Sequence, residues 1–132
     1  MMRFGLPAMV IAGMLTVAGC AMSPTSGPDG VQSLMTGKGT VLADARGMTL
    51  YTFDRDATPG KSACNGQCAT NWPPLMASAG AGPAGGFTVV TRDDGGKQWA
   101  YKGQPLYRWA RDAKPGDTTG DGVIAAWWVA RP

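Results

Sequence analysis

One stretch of this chain occurs twice, and that repetition restricts the possible folds more than any other feature. Residues 47–60 return as residues 103–116, with Gly47/Gly103, Leu50/Leu106, Tyr51/Tyr107, Arg55/Arg111, Asp56/Asp112, Ala57/Ala113, Pro59/Pro115 and Gly60/Gly116 in matching places. The same register sets Gly66 against Gly122 and Trp72 against Trp128. An internal repeat reports architecture before any single residue does. It predicts a small all-β domain built from two related hairpin or meander units with an approximate two-fold relation.

The local pattern agrees. Residues 38–43 and 49–53 are strand-like runs divided by the turn-rich Asp44-Ala45-Arg46-Gly47, which predicts a hairpin. Residues 87–91, 97–101 and 105–109, divided by Asp93-Asp94-Gly95-Gly96 and Lys102-Gly103, predict a three-stranded meander, and 123–129 a last strand. Outside the amino-terminal segment, no helix-length window keeps an apolar 3.6-residue period free of Gly or Pro, so little helix is expected.

Side chains alternate along a strand, so Tyr51 and Phe53 share one face and Leu50 and Thr52 the other; Tyr107 and Trp109 behave likewise against Leu106 and Arg108. Pro59-Gly60 and Pro115-Gly116 suit the centre of a type II turn, whose third place needs φ > 0. Asp56 and Asp112 are placed to accept amides as the chain leaves the sheet. Structure thus explains the six motif positions Tyr51, Phe53, Asp56, Tyr107, Trp109 and Asp112, which are also the candidate binding residues. Arg55 and Arg111 admit a second role, a polar pocket or ion pair formed with the Asp side chains.

The first 19 residues read as an export signal: a positive start at Met1-Met2-Arg3, then an apolar run too short and too broken by Gly5, Pro7 and Gly13 to span a bilayer. Val17-Ala18-Gly19-Cys20 resembles a bacterial lipobox, in which Cys20 carries diacylglycerol and becomes the first residue. Several acyl chains anchor a protein stably where one does not. Ala21 after the cysteine favours the periplasmic face of the outer membrane in a host with two membranes. Residues 20–36 are expected to form a flexible lipidated tether, and 37–132 the β domain, split into repeats 37–76 and 87–132 by the Ala/Gly-rich linker 77–86.

Tyr-x-aromatic-x-x-Asp, present as Tyr51-x-Phe53-x-x-Asp56 and Tyr107-x-Trp109-x-x-Asp112 behind a lipobox, resembles the bacterial family of predicted lipoproteins called the secreted repeat of unknown function. Cys64-Asn65-Gly66-Gln67-Cys68 running into Trp72-Pro73-Pro74 is similar to that family's cysteine segment. The resemblance covers nearly all of residues 37–132 and implies no agreed activity.

Composition excludes more than it offers. Among 132 residues there is no His and no Glu, and net charge is +3. Ser-His-Asp and Cys-His pairs and His-based haem, zinc or copper sites are therefore excluded, and no basic surface argues for nucleic acid. No cofactor, no metal and no enzymatic activity are expected. Cys64 and Cys68, in an exported chain, are expected to form a disulfide. The rival is a thiol-redox or Cu(I)-handling site, with Met76 as a third soft ligand. Asp117-Thr118-Thr119-Gly120-Asp121-Gly122 resembles the opening of a calcium loop, but Trp128 stands where the bidentate Glu belongs, so a turn is expected. The five Trp should serve the core first. Adjacent Trp127 and Trp128 face opposite ways, and an exposed ring would be a platform for a glycan, a peptide or an envelope protein partner, alongside the membrane met through the lipid.

Overall fold

The computed structural model describes Gly5 and residues 27–132. Cys20 and, Gly5 apart, the export signal lie outside the described residues, as does the first part of the tether. From Gln32 onward the chain is mostly short strands. Strands β1 (Gln32–Thr36) and β2 (Gly39–Ala43) form a hairpin, with Gln32 opposite Ala43 and Thr36 opposite Gly39. The sequence places 32–36 in the tether. They form a strand because Val31 just before them is buried in one core and Leu34 packs against the other.

The expected hairpin between 38–43 and 49–53 is corrected: β2 pairs with β1, while β3 (Tyr51–Phe53) pairs with β7 (Trp127–Val129). Only the Ala43–Thr49 bridge and the Leu50 amide on the Leu42 carbonyl link β2 to the segment after it. The Asp44 carboxylate takes the amides of Arg46 and Met48 and folds the chain at this point.

The meander is present as expected. Strand β4 (Phe87–Thr91) pairs with β5 (Lys97–Tyr101), which pairs with β6. Strand β6 spans only Gln104–Pro105, because Tyr107 turns away to bridge Tyr51 and Pro74. The last strand is also shorter than expected. Val123–Ala125 form a tight turn in which Ile124 and Ala125 have positive φ. The helix α1 (Gln67–Asn71) is a single short element. Between the repeats, the Ala77 amide donates to the Lys97 carbonyl, and Ala77 and Ala81 pack on a core.

The two-fold relation centres on the motif tyrosines. The Tyr51 amide donates to the Tyr107 carbonyl at 2.8 Å, and the Tyr107 amide donates to the Tyr51 carbonyl at 3.0 Å. Further out, the Asp54 amide meets the Ala126 carbonyl, while the Ala110 amide meets the Asn71 carbonyl in the corresponding place. Each repeat's motif strand therefore pairs with the closing segment of the other repeat. The repeats are interleaved, not set side by side.

This pairing also corrects the register. Tyr51 stands opposite Val129 and Tyr107 opposite Pro74, so Trp72 corresponds to Trp127, not to Trp128. The slip arises between Gly66 and Trp72, where the helix is one residue longer than the turn between Gly122 and Trp127.

Alternation along the motif strands feeds two cores. Tyr51, Phe53 and Tyr107 enter one with Trp72, Trp127 and Cys64; Leu50 and Leu106 enter the other with Val31, Phe87 and Trp99. This division of faces is the one the strand period predicts.

Candidate site at the crossed repeats

Each motif strand points its tyrosine at the other repeat. The Tyr51 hydroxyl donates to Asp112 Oδ2 at 2.6 Å, and the Tyr107 hydroxyl donates to Asp56 Oδ2 at 2.7 Å. The second carboxylate oxygens accept amides as expected, from Ala63 on Asp56 and from Thr119 on Asp112. Both bends follow the predicted chemistry. The Lys61 amide returns to the Thr58 carbonyl and the Asp117 amide to that of Lys114, with Gly60 at φ 76° and Gly116 at φ 85°.

The aromatic partners form one stack across the two-fold. Phe53 lies on Trp127 at 4.1 Å between centroids, Trp127 on Trp72 at 3.8 Å, and Trp72 on Trp109 at 4.0 Å. The two tyrosine rings meet this stack edge-on: Tyr51 against Trp72 and Tyr107 against Trp127. Such arrangements suit the ring quadrupole, negative on its face and positive at its edge. Arg55 lies over Phe53 at 5.9 Å and Arg111 over Trp109 at 5.8 Å, which puts a cation at each end. The alternative of Arg55 and Arg111 paired with the motif Asp residues is replaced by this geometry, since tyrosines already hold those carboxylates.

Burial sets the electrostatics. Burial, reinforced by the Asp112 carboxylate, pushes the Tyr51 hydroxyl well above the usual tyrosine range, and burial with Asp56 does the same to Tyr107. Burial also raises the Asp56 carboxyl, against the opposing bonds from Tyr107 and Ala63.

A polar network around Arg92 joins the Tyr107–Asp56 bond, and the sequence did not single it out. Arg92 is 4 % exposed. It donates to Ser62 Oγ at 3.0 Å, Gln98 Oε1 at 2.8 Å and the Cys64 carbonyl at 2.7 Å. Ser62 Oγ is 2.6 Å from the Tyr107 hydroxyl. Gln98 passes the network on to the Leu106 carbonyl. Arg92 sits at the start of the turn between β4 and β5, which is longer than the turn between β1 and β2, so the repeat offers no counterpart to flag it.

Cys64 and Cys68 form a disulfide, with Cα atoms 5.2 Å apart. Cys64 is fully buried in the aromatic core and its carbonyl holds Arg92, so the bridge fastens the loop that carries this network. The corresponding Gly120 has no room for a side chain. A Cβ there would meet Trp72 and Tyr51 ring atoms at 2.9 Å. The segment from Asp117 is the expected turn: Asp117 Oδ2 accepts the Ala113 and Lys114 amides, and Asp121 Oδ1 accepts that of Val129.

Trp127 is buried and Trp128 is 41 % exposed, with its indole N–H donated to Asp54 Oδ2 at 2.8 Å. The structure thus turns the six motif residues inward together, packs Cys64 of the disulfide into the same core and leaves Trp128 as the exposed tryptophan of the pair. Comparison with known proteins adds one match: the family model described as a secreted repeat of unknown function fits residues 33–76 and again 88–131. No curated protein and no solved structure matches the chain.

Proposed function

Because the chain belongs to the family of secreted repeats of unknown function, we propose that it is an exported, non-catalytic binding module held at the cell envelope by a lipid on Cys20. The observation that supports this most is the crossed pair Tyr51–Asp112 and Tyr107–Asp56, because the hydroxyls and carboxylates of the repeat satisfy one another within the domain. A general base or nucleophile must present a poised group to substrate. These groups are tied up, and burial holds both tyrosine hydroxyls protonated.

Among the described residues, Trp128 is the tryptophan that stands exposed, its ring held by Asp54. Tryptophan gives large contact area at low entropic cost and is over-represented among residues that dominate binding energy. In a host with two membranes, Cys20-Ala21 directs the lipidated protein to the periplasmic face of the outer membrane, where an envelope protein or glycan meets that ring.

Metabolic labelling with a fatty acid, followed by crosslinking in the native envelope, tests both parts. The native chain takes up label and stays with membranes, and Cys20→Ser loses both. Trp128→Ala keeps the label and loses the crosslinked partner. An unlabelled native chain, or a partner captured equally by Trp128→Ala, overturns the proposal.

A further inference from the structure

Beside the second core runs a groove of two lobes, with Leu42 and Tyr101 lining both. The first lobe, about 380 Å³, has an apolar floor from Val31, Leu42 and Phe87. The second, about 320 Å³, is lined by Thr52 and Gln104 together with two cations, Lys102 and Arg131. Among the described residues, no acidic side chain lines either lobe. Lys102 Nζ stands 5.0 Å over the Tyr101 ring, which carries its charge to the boundary between the lobes. Arg131 is tied by one nitrogen to the Thr40 carbonyl at 3.1 Å, and a guanidinium has further donors to offer.

Small-molecule sites are concave, mainly apolar and fitted with a few polar groups that fix orientation, at roughly 300 to 1,000 Å³. We propose that this groove binds a single-chain anionic amphiphile of the fatty-acid type, with the hydrocarbon in the first lobe and the carboxylate against Lys102 and Arg131. Charge complementarity selects this occupant: among the described residues two cations and no acidic side chain face the polar lobe, and the adjoining lobe offers apolar surface.

The inference deepens the binding proposal above and rests on it, but its readout is ligand affinity, not membrane retention or crosslinking. The experiment uses the purified full chain and a fluorescent long-chain fatty acid, displaced by palmitate or by methyl palmitate. Saturable binding at one site is expected, with palmitate displacing the probe about tenfold more effectively than its ester, since the ester lacks the charge-assisted contacts. Lys102→Gln with Arg131→Gln removes that preference. Ser33→Phe, which fills the first lobe, abolishes probe binding, and circular dichroism checks that it folds. If it does not fold, the paired cation variant still decides. Absence of saturable binding, equal displacement by acid and ester, or displacement only by anionic phospholipid vesicles overturns the inference.

Discussion

Tyr51 and Tyr107 carry more of this structure than their number suggests, because each closes a backbone pair at the two-fold and anchors a carboxylate of the other repeat. Replacing either by Phe keeps the ring and removes the hydroxyl donor. A hydrogen bond to a charged group contributes about 1.5 to 3 kcal/mol. Tyr51→Phe and Tyr107→Phe should each lower the urea midpoint by a loss of that order. Their raised proton affinities also fix a pH dependence. A hydroxyl whose pKa is higher folded than unfolded contributes stability that is complete below the unfolded value, near 10, and is lost as pH rises above it. The melting temperature should therefore fall above about pH 10, and less steeply in the two Phe variants. Gly120→Ala presses a methyl into Trp72 and Tyr51 and should cost about 1 to 3 kcal/mol by overpacking, read from the same urea curve. Of these residues, the motif ones were legible because they recur. Arg92 and Ser62 were not, because a buried ion held by a non-repeated turn leaves no mark on the pattern.

At the scale of elements, partners joined by a local turn were readable and distant partners were not. Residues 87–91 and 97–101 pair across a local turn, so hydrophobic runs divided by Asp93-Asp94-Gly95-Gly96 were enough to place them. Strand β3 instead reaches across 76 positions of sequence to β7 through the Thr52–Trp128 pair, and nothing local encodes that choice. Residues 32–36 fall within the expected tether, but they form the first strand of a hairpin that turns at Gly37-Lys38. The one-residue slip between Trp72 and Trp128 has the same origin: a helix and a tight turn occupy equivalent places, and only the strand register tells them apart. The disulfide belongs to this scale, since it closes a short loop that spans the start of α1. Closing so short a loop constrains the unfolded chain by about 2 kcal/mol in the entropy model. Cys64→Ser with Cys68→Ser should lower stability by about that amount, and thermal unfolding of the variant against the parent measures it.

For the molecule as a whole, the interleaving means that neither repeat owns a complete sheet or a complete core. Phe53 and Trp72 come from one repeat and Trp127 and Trp109 from the other, and they alternate along a single stack. Unfolding should be one cooperative transition, identical by near-ultraviolet and far-ultraviolet circular dichroism. An interleaved two-fold body of this kind suits presentation of one surface, which is the role proposed for it at the envelope. The most direct test of the interleaving is to prepare residues 27–81 and 82–132 as separate fragments and record near-ultraviolet circular dichroism apart and mixed. Separately, each fragment should lack the tryptophan signal and unfold without cooperativity, and mixing should restore both. A native-like spectrum and a cooperative melt in either fragment alone would contradict the account.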